Sequence, residues 1–192
     1  MLSTLIDHLH GKEVVIVTGL GVTKKRLENF LSLVKNKRLV FNVSGESTAE
    51  NFEFLRFGCE WKDYCDKVKM IKNSGHEVKF ASTINNISLL DFPNFYDKLI
   101  ADHKIDCTMV TERPFMLPHV LDPKSKEKII DWMTNHHDKQ KFKTFVSAIE
   151  QDPDEKSRVN LADYMSQMSK RRDVDYAFLP EHFRQWYSPT GI

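Results

Sequence analysis

The sequence has few cysteines, few glycines and prolines, no long apolar run and almost no net charge. Its 192 residues include three cysteines, an odd and small number that argues against a disulfide scaffold and favours a reducing, cytoplasmic environment. Seven glycines and seven prolines leave no stretch typical of a flexible linker. Apolar runs such as Val14–Val17 are far too short to span a bilayer, and the first residues lack the features of a signal peptide.

The charges nearly cancel, with 28 Lys and Arg against 27 Asp and Glu. A general nucleic-acid binder usually carries a basic excess, so this balance argues against that class. The short basic run Lys170–Arg172 has Asp173 and Asp175 close by, and we interpret it as a solvated face. Hydrophobic residues make up 41% of the chain, enough to bury a core and to argue against disorder.

Four short runs rich in β-branched or aromatic residues predict strands, at residues 13–18, 38–44, 76–84 and 105–111. Between them, apolar residues with helical spacing predict helices over 23–36, 60–73 and 88–101. This alternation is typical of a parallel sheet with right-handed crossovers. Because four strands are too few to close a barrel, we predict an α/β fold that is a partial (β/α) barrel with about four parallel strands. A small doubly wound sheet is the alternative.

The pattern changes after Arg113. Pro114, Pro118 and Pro123 interrupt an irregular segment, and only helical patterns follow it. We therefore predict two parts: residues 1–113 form the partial barrel, and residues 114–192 form a helical C-terminal appendage packed on it.

Polar side chains follow the predicted strands at the ends where parallel sheets bind ligands. Strand periodicity turns Leu39, Phe41 and Val43 towards the helices, so the intervening polar residues face the opposite side. Polar residues on that side favour a ligand-lined interior, because buried polar groups need partners. The alternative is that these strand ends simply enter polar loops. The candidate positions at the strand ends are Asn42, Ser44, Glu46, Thr83, Asn85, Thr111 and Glu112.

Other motifs are weak. Gly19-Leu20-Gly21 lacks the third glycine of a dinucleotide loop and is better interpreted as a tight strand-to-helix turn. His136 and His137 would diverge by about 100° on a helix, as a solvated pair. The cysteines have no metal-ligand spacing, and Cys65 fits the apolar stripe of its predicted helix. No nucleophile–base motif is present, so catalytic residues stay unassigned and no metal ligands are predicted.

Several segments resemble radical S-adenosylmethionine proteins of the twitch-domain type. In that family, a strand ending in S-x-D-G is followed by the motif E-Y-I-R-x-G-x-x-W. Segment 41–46 (FNVSGE) resembles the strand end, and segment 53–58 (EFLRFG) with Trp61 resembles the motif. Residues 80–87 are similar to the family's strand with T-x-N, and residues 172–186 to its ending near F-P-E-L. One departure is that Gly45 precedes the acidic residue.

The resemblance implies that the four strands match the last four of a partial (β/α)6 barrel. The first strand and its CxxxCxxC loop are absent, and in the family three thiolates hold three irons of a [4Fe–4S] cluster. The chain would then be the C-terminal half of a radical S-adenosylmethionine-like enzyme, not competent alone. It would contribute S-adenosylmethionine contacts from the seven strand-end positions, and an N-terminal partner chain would supply the cluster.

Two alternatives from other classes stay open. The same fold could be a non-catalytic binding or protein-interaction module, or the chain could be a stand-alone α/β enzyme of another class. The first predicted strand would leave a sheet edge exposed, so we expect residues 13–18 to pair with another chain, with a copy of this chain or with the N-terminal helix.

Overall fold

The structure is a computed structural model that describes residues 13–100 and 103–188. Its strands are β1 (Val14–Thr18), β2 (Leu39–Ser44), β3 (Glu77–Ile84) and β4 (Lys104–Met109). The first helices are α1 (Lys24–Leu33), α2 (Ala49–Leu55), α3 (Trp61–Asn73), α4 (Asn86–Leu89) and α5 (Phe92–Ile100). A 3₁₀ turn at Pro114–Met116 precedes α6 (Pro123–Asn135), α7 (Lys139–Ile149), α8 (Glu155–Arg172) and α9 (Glu181–Tyr187).

The strands form one parallel sheet in the order β1-β2-β3-β4. Val17 of β1 lies beside Asn42 of β2, which lies beside Lys79 of β3. The predicted α/β class and the four parallel strands are therefore confirmed. Curvature into a partial barrel stays a prediction.

Burial follows the predicted periodicity of the central strands in part, because Val40 of β2 is also buried. On β2, Leu39, Phe41 and Val43 are almost fully buried, whereas Asn42 and Ser44 are half-buried. On β3 the buried positions include Phe80 and Ile84, Ala81 between them is half-buried, and Thr83 is exposed. β1 is an edge strand of the sheet.

The helices α1 and α3 follow local sequence signals. Thr23 accepts a hydrogen bond from the Arg26 amide at 3.3 Å and caps α1, as its position predicts. α3 spans Trp61–Asn73, and Gly75 follows it with a φ of 82°, a conformation that glycine adopts without steric cost.

The helix predicted over 88–101 needs correction. The sequence leaves open whether Pro93 lies in a first turn or at a break, and in residues 88–100 α4 ends at Leu89 and α5 begins at Phe92. Asn85 caps α4 through a reciprocal pair of hydrogen bonds with Ser88, and Pro93 lies in the first turn of α5, where its missing amide hydrogen costs nothing. The sequence periodicity also missed α2.

The described residues group into two compact units. The first contains 13–82 with 96–100 and 103–107, and the second contains 83–95 with 108–188. The domain boundary after Arg113 stays a prediction. In the second unit, Asp122 and Asp154 cap α6 and α8 by accepting hydrogen bonds from the Ser125 and Ser157 amides at 3.0 and 2.7 Å. Within the described part of the chain, no helix combines the length and apolar character needed to cross a membrane.

Candidate functional site at the strand ends

Two residues at the end of β2 form hydrogen bonds with side chains from later segments of the first unit. Glu46 is only 7% exposed, and its Oε2 accepts a hydrogen bond from Arg56 Nη2 at 2.6 Å. The buried Tyr64 hydroxyl donates to the Ser44 carbonyl at 3.1 Å. Asn42 is half-buried, and its Oδ1 has no hydrogen-bond partner among the described residues. We call Ser44, Glu46, Arg56 and Tyr64 the Glu46 cluster.

Burial controls the electrostatics of the Glu46 cluster. It raises the pKa of Glu46, and the Arg56 guanidinium opposes this shift. It also raises the pKa of Tyr64 well above its usual range, so the hydroxyl stays protonated as a donor. A Cβ on Gly19 would lie 3.3 Å from Arg56 Nη1, which explains a residue without a side chain at that position. These groups therefore fill their own space rather than leaving it for a ligand.

The loop after β1 is a tight turn. Its left-handed residue is Leu20, with a φ of 55°, and the Leu20 amide donates to Thr18 Oγ1 at 3.0 Å. The buried Lys67 donates to the Leu20 carbonyl at 3.0 Å and pairs with Asp63. The cavity lined by this loop and Lys67 has a volume of about 40 Å³, far below that of a nucleotide site. This geometry fits the tight-turn interpretation of Gly19-Leu20-Gly21.

In the second unit, four of the predicted residues line one pocket of about 370 Å³ at the ends of β3 and β4. We call it the strand-end pocket; its lining residues are Thr83, Asn85, Met109, Val110, Thr111, Glu112, Arg113 and Met116. The Val110 amide donates to the Ile84 carbonyl at 2.9 Å and joins the two strand ends. The pocket therefore combines an apolar wall with hydroxyl, carboxylate and guanidinium groups.

The lining residues differ in how free their side chains are. Asn85 is buried, and its Oδ1 accepts from the Ser88 amide at 2.9 Å as the cap of α4, so much of its bonding capacity is used. Thr83, Thr111 and Glu112 are exposed. The seven predicted residues thus fall into two groups: Asn42, Ser44 and Glu46 belong to the first unit and do not line this pocket.

The described cysteines do not fit an iron–sulfur cluster. Cys59, Cys65 and Cys107 are half-buried and form no disulfide, and they form no group of potential metal ligands within residues 13–100 and 103–188. Cys65 was predicted as a core residue, but it is only half-buried because it lines a cleft. The strand-end pocket, with a volume of about 370 Å³, would be large enough for the adenosyl part of S-adenosylmethionine.

One group in the described part of the chain could hold a metal ion, namely His136, His137 and Asp138. The predicted divergence of the two rings is wrong: their centroids lie 4.0 Å apart, because α6 ends at Asn135 and the pair does not follow helical geometry. His136 Nδ1 already accepts from the Asp138 amide at 3.0 Å, and Asp138 pairs with Lys141 at 3.2 Å. Potential ligand atoms of His136 and Asp138 are therefore already engaged in contacts within the protein.

A Ser–His–Asp arrangement also occurs in the second unit, and motif searches missed it. Ser125 Oγ lies 3.2 Å from His182 Nε2, and Asp122 Oδ1 lies 3.8 Å from the same nitrogen. A catalytic triad needs the serine and the aspartate on opposite ring nitrogens. Ser125 is also buried, so this group joins α6 to α9 rather than forming a nucleophile site. Only the Asp122 capping position could have been found from sequence.

Comparison with known proteins finds no matching family model, no matching curated protein and no matching solved structure. The resemblance to radical S-adenosylmethionine proteins therefore rests on the sequence motifs, and its consequences for function are proposals.

Proposed function

We propose that this chain is the C-terminal half of a radical S-adenosylmethionine-like enzyme, which contributes cofactor and substrate contacts at its strand ends. The observation that carries the proposal is the strand-end pocket. Thr83 and Asn85 from one strand end, and Thr111 and Glu112 from another, line the same space of about 370 Å³. The predicted strand ends and the family resemblance both point to these positions.

The chemistry of the strand-end pocket supports an adenosyl ligand. Met109 and Met116 offer polarizable apolar surface for a flat base, and Met side chains adapt to the shape of a ligand. The Glu112 carboxylate would accept hydrogen bonds from ribose hydroxyls or from the ammonium group, and Arg113 would bind a carboxylate. If bound there, S-adenosylmethionine would supply radical chemistry, and Thr83, Asn85, Thr111 and Glu112 would bind and orient its adenosyl part.

The proposal also includes a partner at the edge of the sheet. On β1, Val15 is 50% exposed and Val17 is 71% exposed. Parallel sheets are almost always covered on both faces, and exposed edge strands usually find a partner. A preceding segment that carries CxxxCxxC would cover this strand and supply the cluster ligands.

A binding measurement tests the pocket. Isothermal titration calorimetry with S-adenosylhomocysteine, which does not react, should show saturable binding to the chain. Thr83→Tyr places a bulky ring in the strand-end pocket and should abolish the binding. Thr108→Tyr is the matched control, because Thr108 is also exposed and is not one of the residues that line the pocket. Equal binding by both variants would contradict the proposed site.

Co-expression tests the partner. The chain is produced together with an N-terminal barrel segment that contains CxxxCxxC. A brown complex that contains iron and cleaves S-adenosylmethionine supports the proposal. A colourless single chain that ignores both the segment and the cofactor overturns it.

The exposed valines of β1 favour a second candidate, a non-catalytic protein-interaction module. This module would bind a partner through β1 without any dependence on S-adenosylmethionine. Amide hydrogen exchange and sedimentation of the purified chain test whether a second copy of the chain covers β1. Slow exchange along Val14–Thr18 in a dimer indicates self-association through this strand. Fast exchange shows that the edge is uncovered in the isolated chain, contrary to the sequence-based expectation.

A further inference from the structure

A cleft of about 470 Å³ lies between α3 and α5 in the first unit. None of the seven predicted strand-end residues lines it. α3 contributes Trp61, Cys65, Lys69 and Lys72, which are spaced so that they follow one stripe of the helix. The stripe lies at the boundary between the buried and the exposed faces of α3 and forms one wall of the cleft.

Aromatic contacts hold one end of this cleft in shape. The Trp61 ring packs against Phe52 and Tyr64, with centroid distances of 5.2 and 5.6 Å. From α5, Lys98 Nζ lies 5.4 Å above the Trp61 ring, a cation–π geometry. The Lys98 ammonium group therefore lies over the Trp61 ring before any ligand is bound.

The charge of the cleft is strongly positive, although the chain as a whole is nearly neutral with 28 basic and 27 acidic residues. Four lysines line the cleft against one carboxylate, Asp66. Lys24, which does not line the cleft, already donates to Asp66 at 2.8 Å. The basic lining residues are Lys62, Lys69, Lys72 and Lys98. The positive charge is thus a local feature that would attract an anion with more than one negative charge.

We propose that this cleft binds a nucleoside phosphate, with the base against the aromatic end and the phosphate among the lysines. Its volume and its mixed lining are those of small-molecule sites. Aromatic side chains stack on the flat face of any base, and lysine binds phosphate as a point charge. A doubly charged phosphate matches several ammonium groups better than a single carboxylate does.

Titrations with AMP, adenosine and inorganic phosphate test this proposal, with tryptophan fluorescence and calorimetry as readouts. AMP should bind more tightly than either of its parts. Lys98→Met should weaken AMP binding by about tenfold or more, because hydrogen bonds to charged groups contribute that much. Lys98→Arg should restore part of the affinity, and Lys69→Met should give a smaller loss.

Two controls make the test decisive. Lys143→Met changes an exposed lysine that does not line the cleft and should leave AMP binding unchanged. Thr83→Tyr blocks the strand-end pocket and should also leave it unchanged. Absence of saturable AMP binding, or equal binding by Lys98→Met and Lys143→Met, overturns the proposal. Loss of AMP binding in Thr83→Tyr overturns it as well, because the nucleotide would then occupy the strand-end pocket.

Discussion

The strand ends of the two units carry the same kind of residue and use it differently. In the first unit, Glu46 is buried and its carboxylate accepts a hydrogen bond from Arg56. In the second unit, Thr83, Thr111 and Glu112 are exposed and line an open pocket. A polar residue after a strand therefore does not by itself indicate a ligand site. Whether a strand end stays open for a ligand depends on whether the following segments supply large side chains that fill the space beside it.

The largest effect expected from this comparison comes from Arg56→Met. It leaves the buried Glu46 carboxylate without its partner, and we expect a loss of about 3 kcal/mol in the free energy of unfolding at pH 7. Urea denaturation measures it, with Arg26→Met on an exposed position of α1 as the matched control. Because burial raises the pKa of Glu46, the loss should shrink at acid pH, where this carboxyl binds a proton. A loss below about 0.5 kcal/mol would show that the Glu46 cluster is not a stabilising unit.

Lowering the pH should destabilise the first unit through the buried His76. This residue is 5% exposed, packs on Phe41 at a centroid distance of 5.6 Å, and has no hydrogen-bond partner for either ring nitrogen among the described residues. Burial lowers the pKa of His76 below 6.5, so the unfolded chain binds a proton that the folded chain rejects. Its contribution to stability is complete above about pH 6.5 and falls as the pH drops towards the lowered pKa, by at most about 1.4 kcal/mol per pH unit.

Urea denaturation between pH 7 and pH 5 checks this prediction. His76→Leu should flatten the dependence of stability on pH, whereas His137→Gln in the second unit, which changes an exposed ring, should leave it as in the original chain. An identical slope in the original chain and in His76→Leu would contradict the assignment.

A smaller effect is expected for Tyr64→Phe. The variant removes the hydrogen bond to the Ser44 carbonyl but keeps the ring and its packing, so we expect a loss of about 1 kcal/mol in the free energy of unfolding. Tyr164→Phe is a useful control, because that ring is only half-buried and packs on Phe115. Equal losses in the free energy of unfolding for the two variants, measured by urea denaturation, would show that the Tyr64 hydroxyl stabilises the protein no more than a half-buried tyrosine does.

The smallest stability effect is expected for Glu112→Gln. This side chain is exposed at the strand-end pocket, so the free energy of unfolding should stay within about 0.5 kcal/mol of the original value. Its affinity for S-adenosylhomocysteine should fall, because the carboxylate acceptor is lost. A large destabilisation would show that Glu112 serves the fold, and the contrast with the Glu46 cluster would then disappear.

Much of the secondary structure could be predicted, because it depends on short-range patterns. The four strands and α3 begin and end within about two residues of their predicted bounds, since runs of β-branched residues and helical apolar spacing are local signals. α2 has only seven residues, too few for its apolar spacing to be recognised. The cap at Asn85 starts α4, and the break after Leu89 precedes Pro93, which has no amide hydrogen to continue the helical hydrogen bonds.

The candidate site was predictable only in part. Strand periodicity and the strand ends were enough to select Thr83, Asn85, Thr111 and Glu112, which line one pocket. Sequence reasoning did not find the partners of Glu46 and Ser44, because Arg56 and Tyr64 lie 10 and 20 residues away along the chain. It also missed the cleft at Trp61, whose lysines come from helices separated by a strand.

The amino-acid sequence by itself determined the alternation of strands and helices and the parallel sheet, because side-chain periodicity decides which face of each element is apolar. Only the tertiary structure decided which polar strand ends are filled and which line an open pocket. That outcome depends on the side chains that distant segments bring to each strand end, and a one-dimensional pattern contains no information about such contacts.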